Sequence, residues 1–206
     1  RAKTKHFAAI TDPKEIPALL RALDGYSGTP VVVAAINLAP LVFVRPGELR
    51  TAQWSDFDLE AATWSFQPSK NADPLIVPLP RQAVQILRDL HGLTGPDGYV
   101  FPNARSRTRP MSDSTIGGAL DYLGFKNRMT ARGFRAMART ILAERLNYSP
   151  EHIEQQLAHK VRDANGRAYN RTQFLEQRRE MLQSWADYLD ALRDGSGNVV
   201  PIRGQV

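Results

Sequence analysis

Residues 31–44 form an almost wholly apolar run in which Asn37 is the only polar side chain. Strands in globular proteins usually hold no more than about ten residues, so a run of this length predicts a helix buried on all sides, despite its valines. A membrane span needs an apolar run of about 18 residues, and the chain has none. The sequence therefore predicts a helix at the centre of a core and no contact with a membrane.

The other segments predict a mainly helical fold around that centre. Apolar residues recur at helical spacing in residues 16–23, 84–90, 134–142 and 174–189. Residues 63–66 and 75–79 are short and rich in β-branched and aromatic side chains, which predicts two strands joined by a polar loop. Residues 91–110 contain several Gly and Pro residues and predict a loop. The predicted class is mainly α with a small antiparallel β-sheet, that is, α+β.

Composition excludes several kinds of site. The chain has no cysteine, so disulfides and thiolate metal sites are ruled out. Its four histidines are His6, His91, His152 and His159, and none of them has the H-x-x-x-H spacing typical of zinc sites. The basic start of the chain leads into no apolar segment, so no signal peptide is predicted. We expect neither a metal nor an organic cofactor.

Positive charge is concentrated in one quarter of the chain. Residues 101–150 contain nine Lys or Arg and three Asp or Glu, so this quarter alone accounts for the formal net charge of +6. A localised basic surface predicts a nucleic-acid partner, with a solvated basic face that binds nothing as the alternative. The candidates for DNA contact are Arg107, Lys126, Arg128 and Arg139.

Six residues, spread over more than a hundred positions, are typical of phosphate chemistry. They are Arg45, Lys70, Arg132, Arg135, His159 and Tyr169. Arginine offers a planar fork of donors that fits two phosphate oxygens and keeps its charge. Tyrosine can act as a covalent nucleophile when its phenolate is stabilised. Each residue alone has a plainer interpretation: Arg45 and Glu48 could be a surface ion pair, and Lys70 a solvated loop lysine.

The order and spacing of these residues resemble the catalytic domain of the tyrosine recombinases, specifically the prophage-type integrases. The family pattern Gly-x-Arg-x-x-Glu-Leu, running on to Trp-x-Asp-x-Asp, is matched from Phe43 to Asp58, with Phe43 in the usual glycine position. Thr130-Ala-Arg-Gly-Phe-Arg135 matches Thr-x-His-x-x-Arg, with Arg132 in the histidine position. Leu157-Ala-His159 followed by Tyr169 is similar to Leu-Gly-His…Tyr. The resemblance covers about residues 12–190.

The resemblance implies a role for each residue. Arg45 and Arg135 would clamp the scissile phosphate, with Glu48 supporting Arg45. Lys70 would protonate the leaving 5′ oxygen, and His159 would bind a non-bridging phosphate oxygen. Tyr169 would be the nucleophile and would form a 3′-phosphotyrosyl link. Arginine cannot shuttle a proton near neutral pH as histidine can, so Arg132 would act through charge and hydrogen bonding.

The resemblance also implies partners and a domain organisation. We expect a site-specific recombinase of a mobile element, acting in the bacterial cytoplasm as a homo-tetramer on double-stranded DNA attachment sites, with accessory DNA-bending proteins. Residues 1–194 would be one catalytic domain, residues 195–206 a polar, flexible tail, and the whole chain, which lacks an initiator Met, a fragment of a longer integrase. Two alternatives are a DNA-binding module of the same fold that has lost activity, and an unrelated helical domain that binds another protein.

Overall fold

The computed structural model describes residues 7–68, 74–159 and 174–195. Its helices are α1 (Ile16–Asp24), α2 (Pro30–Val42), α3 (Pro46–Arg50), α4 (Arg81–Thr94), α5 (Thr115–Tyr122), α6 (Gly133–Glu144), α7 (Pro150–Gln156) and α8 (Leu175–Arg193). Its strands are β1 (Phe57–Asp58), β2 (Thr63–Phe66), β3 (Leu75–Pro78), β4 (Pro102–Asn103) and β5 (Ser106–Pro110). The predicted class, mainly α with small antiparallel sheets, is confirmed.

The apolar run forms α2, which lies in the centre of the helical packing. It contacts α1, α3, α4, α5, α6 and α8, and eight of its 13 residues are buried. The Trp185 indole on α8 donates to the Pro40 carbonyl at 2.8 Å, which gives a partner to a carbonyl in the last turn, where intrahelical donors run out. Beyond this end the chain turns directly into α3. Within the described ranges, none of the helices combines the length and hydropathy needed to cross a bilayer.

The three-stranded sheet has the order β1-β2-β3 and is antiparallel throughout. Trp64 pairs with Val77 across β2 and β3, and both side chains are completely buried. Phe57 stacks on Trp64 with ring centroids 5.0 Å apart. The predicted pair of strands is therefore present, with β1 added at one edge.

The segment predicted as a loop contains regular structure at both ends. Helix α4 continues to Thr94, and β4 pairs with β5 in a hairpin. Thr94 accepts a hydrogen bond from the Trp54 indole at 3.1 Å and donates to the Val100 carbonyl at 3.0 Å. These partners lie far from Thr94 in sequence or across a Gly-Pro turn. Local periodicity cannot reveal such contacts, and the hairpin has no apolar alternation that would mark it as strand.

Arg178 is a fully buried cation on α8, a position where helical periodicity would place an apolar residue. Its guanidinium donates to the Ile76 carbonyl of β3 at 2.8 Å and to the Gln156 side chain of α7 at 3.2 Å. Burial lowers the pKa of Arg178 to about 10. Arg178 thus connects α8 to α7, which leads to His159, and to β3, which follows Lys70 in the sequence.

Candidate active site

Arg45 lies at the start of α3, and Glu48 fixes its position. The Glu48 carboxylate accepts hydrogen bonds from the backbone N–H of Arg45 and from its guanidinium, both at 2.8 Å. It thereby caps the first turn of α3, where backbone N–H groups lack helical partners. The side chains of Arg45 and Glu48 are 38% and 10% exposed. The carboxylate is thus mostly buried, while Arg45 also lines an open cleft of about 560 Å³ that it shares with Arg132.

Arg135 lies in the first turn of α6 and is held by main-chain carbonyls. Its guanidinium donates to the Phe43 carbonyl at 3.1 Å and to the Leu157 carbonyl at 2.8 Å. An arginine has five N–H donors, and these two bonds use two of them. Burial first, and then the charge of Arg45, lower the pKa of Arg135 to about 10, with Glu48 counteracting part of this effect. The two arginines therefore lie close enough to repel each other.

The turn that follows α7 connects both arginines to His159. Leu157 provides the carbonyl for Arg135, and the Ala158 carbonyl accepts a long contact from Arg45 at 3.5 Å. The Nε2 atom of His159 lies 3.3 Å from the Arg135 guanidinium. The structure thus brings Arg45, Arg135 and His159 together, although the three are far apart along the chain.

Glu154, which the sequence did not single out, lies behind His159. One carboxylate oxygen is 2.5 Å from His159 Nδ1, and the other accepts from Arg139 Nε at 2.6 Å. Partial burial raises the pKa of Glu154, but the hydrogen bonds from His159 and Arg139 outweigh it and leave that pKa below its usual range. Glu154 is therefore ionised near neutral pH. Nothing in the sequence marks Glu154, because an acidic residue on a short polar helix is usually solvated.

Arg132 has an aromatic partner in the segment that enters the fold. Its guanidinium lies 4.4 Å from the centre of the Phe7 ring, a cation–π contact. The segment after Phe7 is held tightly, because Thr130 Oγ1 donates to the Ala8 carbonyl at 3.1 Å. A Cβ atom on Gly133 would lie 2.5 Å from that same carbonyl. Arg132 lines a small cleft of about 240 Å³ together with Phe7, Arg135 and His159.

Two positions around the site have a left-handed backbone although neither is glycine. Phe43 has φ of 35° and Ala158 has φ of 51°. The family motifs that this sequence resembles usually have glycine at both positions, and glycine adopts this conformation at no steric cost. Phe43 compensates by packing, since its side chain is completely buried and meets the Trp185 ring at a centroid distance of 6.3 Å. Ala158 buries little in return.

We therefore expect Ala158→Gly to stabilise the fold. A left-handed backbone costs an alanine about 1 kcal/mol or more, and the added freedom of glycine in the unfolded chain offsets only part of that gain. The expected increase in the free energy of unfolding is about 0.5–1 kcal/mol, measured by urea titration. Ala136→Gly, at an exposed position of α6, is the control and should lose about 0.5–1 kcal/mol. Equal losses in both variants would contradict the strain at Ala158.

Lys70 and Tyr169 lie outside the described residues, so their predicted roles stay predictions. The four candidate DNA contacts are exposed, but three have protein partners. Arg128 pairs with Glu15 at 2.8 Å, Arg139 with Glu154, and Arg107 donates to the Leu93 carbonyl. In the described part of the chain, no group of three or more His, Asp or Glu side chains is placed to bind a metal ion.

Comparison with known proteins shows the family to which this chain belongs. The model of the phage integrase family matches residues 10–176, and the chain therefore belongs to that family. It is 40% identical to the prophage integrase IntZ of Escherichia coli over 186 residues, which cover 89% of this chain and 46% of that protein. It is 35% identical to the integrase of Enterobacteria phage P4, over 93% of this chain and 47% of that protein. The chain spans about half the length of these relatives.

Solved structures show the same fold at low sequence identity. The integrase of mycobacterium phage Brujita superposes with a TM-score of 0.61 at 17% identity, covering 100% of this chain and 63% of that one. A lambda integrase dimer bound to a COC′ core site superposes with a TM-score of 0.56 at 19% identity, covering 82% of this chain and 52% of that one. The fold is thus that of tyrosine recombinase catalytic domains.

Proposed function

We propose that this chain is the catalytic part, residues 1–194, of a site-specific DNA recombinase that integrates or excises a mobile element. One observation carries the proposal: the carbonyls of the Leu157–His159 turn contact Arg45 and Arg135, and His159 lies beside Arg135. The two guanidinium groups lie close enough to repel each other, so they concentrate positive charge, and both have N–H donors to spare. A phosphodiester is the anion that fits such paired forks.

The reaction would be a transfer of the phosphodiester from DNA to the protein and back. The Tyr169 oxygen attacks phosphorus and gives up its proton to water, the bond from phosphorus to the 5′ oxygen breaks, and Lys70 gives that oxygen its proton. Arg45, Arg132 and Arg135 stabilise the extra negative charge of the pentacoordinate transition state. The products are a 3′-phosphotyrosyl link and a free 5′ hydroxyl. Since the link conserves the energy of the phosphodiester, neither a metal nor a nucleotide is required.

Double-stranded DNA is the proposed partner. The relatives are integrases, and one of the similar structures is a dimer bound to a DNA core site. By the same reasoning the whole protein would assemble as a homo-tetramer on two attachment sites, with accessory DNA-bending proteins, in the bacterial cytoplasm at the nucleoid. Contacts to DNA phosphates would come from the exposed side chains of Arg107, Lys126, Arg128 and Arg139. The three arginines would first release their present protein partners.

A second candidate function is DNA binding without cleavage. Arg132 favours it, because this arginine occupies the position where the family usually has a histidine. An arginine keeps its proton throughout the usable pH range, so it cannot take a proton from the tyrosine. The intact Arg45, Arg135 and His159 favour an active site instead.

A covalent trapping experiment tests the proposal. The protein is incubated with a pool of duplexes that carry a nick and randomised sequence around it. Cleavage next to the nick releases a short fragment with a free 5′ hydroxyl, and its loss prevents rejoining. We expect a DNA–protein adduct on a denaturing gel, and sequencing of the attached DNA would give the preferred site.

The other outcomes separate the alternatives. DNA binding with no adduct on any member of the pool would contradict cleavage and support the second candidate. Whether or not the protein cleaves DNA, the logarithm of its association constant for DNA should fall as the logarithm of the salt concentration rises. The expected slope is about −0.9 for each phosphate that the protein neutralises. A chain whose DNA affinity shows no such slope would instead be a helical domain for binding another protein.

A further inference from the structure

His159 has two polar neighbours, and together they determine which ring nitrogen carries the proton. The Arg135 guanidinium, 3.3 Å from Nε2, can only donate a hydrogen bond. Nε2 must therefore accept, with a lone pair and no proton. The Glu154 carboxylate, 2.5 Å from Nδ1, can only accept when ionised. Nδ1 must therefore carry the proton. Both contacts require the same neutral tautomer, with Nδ1–H donated to Glu154.

This tautomer is unsuited to binding a phosphate. A phosphate oxygen is an acceptor, and so is the Nε2 lone pair, so the two cannot form a hydrogen bond. Turning the ring over would present a different nitrogen, but it would break the bond to Glu154. The same carboxylate is held in place by Arg139 at 2.6 Å. The remaining way to bind a phosphate oxygen through Nε2 is for the ring to take up a second proton.

We propose that Glu154 is a positioning residue that makes phosphate binding at this site coincide with proton uptake by His159. The proposal rests on the function proposed above, in which the scissile phosphate lies against Arg45, Arg135 and His159. In the free protein the ring is neutral and Nε2 faces Arg135. In the complex the ring is an imidazolium that donates Nδ1–H to Glu154 and Nε2–H to the phosphate.

The charges around the ring agree with a change of state on binding. Arg135 and Arg139 of α6 face it, Arg45 contacts the neighbouring carbonyl, and Arg132 lines the same cleft. An anion placed among these arginines offsets part of their positive charge, which leaves room for a further proton on the ring. Glu154, whose pKa is lowered by its two hydrogen-bond donors, supplies a permanent negative partner.

Nitrogen-15 NMR of the histidine rings, with sulfate as the probe, tests the proposal. Sulfate mimics a phosphate dianion and does not itself titrate between pH 6 and 8. Without sulfate at about pH 7.5, His159 should show a protonated Nδ1 and an unprotonated Nε2. When sulfate binds, the His159 ring should take up a proton so that both of its nitrogens are protonated, while the His91 and His152 rings stay unchanged. Sulfate affinity should rise as pH falls, by up to about tenfold per pH unit, because one proton is taken up with the anion.

Two variants at position 154 complete the test. Glu154→Gln keeps an acceptor for Nδ1–H and removes the negative charge, so the Nδ1–H tautomer should persist while the pH dependence of sulfate binding flattens; Glu154→Asp, which keeps a carboxylate, should retain most of both. Unfolding curves of the variants check that each one is folded. His159→Gln assigns the ring signals by removing them.

Each remaining outcome overturns something definite. Sulfate binding seen at Arg135 while His159 stays neutral would disprove the coupling and leave the phosphate clamp intact. A Glu154→Gln protein that behaves like wild type would disprove the role of Glu154. A site that does not bind sulfate at all would contradict the proposed function itself, and the coupling with it.

Discussion

Tyr169→Phe is expected to abolish covalent attachment to DNA while leaving the fold and the DNA affinity nearly unchanged. Phenylalanine keeps the aromatic ring and removes only the hydroxyl, so the proposed nucleophile is lost and little else changes. The trapped adduct on a denaturing gel is the measurement. DNA affinity at fixed salt, compared with that of the unaltered protein, shows whether the loss is chemical.

Two other tyrosines provide controls for this variant. Tyr122 is 77% exposed, and the hydroxyl of Tyr148 donates to the Ser184 hydroxyl at 2.8 Å. Tyr122→Phe and Tyr148→Phe should both form the adduct at the normal rate. If the adduct persists in Tyr169→Phe, the nucleophile is a different residue, and peptide mapping of the attached DNA would identify it.

Arg135→Lys is expected to slow cleavage by about a hundredfold although the charge is kept. The Arg135 guanidinium reaches two carbonyls on separate segments, those of Phe43 and Leu157, and still has donors for a phosphate. A lysine ammonium is a compact point charge and cannot hold both anchors and a bidentate phosphate contact at once. Loss of such a contact raises the barrier by roughly 3 kcal/mol. A single-turnover rate on the trapping substrate is the measurement.

Arg145→Lys is the matched control for that variant. Arg145 is exposed at the end of the same helix, so its replacement should change the cleavage rate by less than about twofold. Urea unfolding of both variants separates a loss of stability from a loss of chemistry. An Arg135→Lys rate within about threefold of the unaltered protein would contradict the clamp.

Much of the fold is predictable because its strongest signals are local. The apolar run that became α2 is too long for a strand and too hydrophobic for a surface helix. Helix α7 begins at Ser149-Pro150, a pair of residues typical of helix starts, and the Ser149 hydroxyl accepts from the Glu151 N–H at 3.3 Å. The prediction of a loop over residues 91–110 was wrong at the end of α4 and at the β4–β5 hairpin. Contacts distant in sequence, such as that of Trp54 with Thr94, determine these elements.

The candidate site was predictable in its side chains but not in what surrounds them. Arg45, Arg135 and His159 were singled out because their order and spacing resemble the family motifs, and the structure brings the three together. Glu154 could not be distinguished from a solvated acid on a polar helix, and Phe7 could not be connected to Arg132. Arg178 lies among the buried residues of α8. Its burial could not be predicted, because a charged side chain normally argues against burial. In each case the deciding contact joins segments that no periodicity relates.

The acceptors that hold Arg45 and Arg135 against the Leu157–His159 turn and the end of α2 are main-chain carbonyls, those of Phe43, Leu157 and Ala158. Every residue type carries a carbonyl, so no side-chain replacement at these positions can delete the acceptor; it can only misdirect it. What selection would have to preserve is the sign of φ at positions 43 and 158. A glycine preference at these positions in related sequences would then reflect the backbone dihedral angle. β-Branched and bulky residues are the poorest substitutes there, and Phe43 is accommodated because its ring is buried against Trp185.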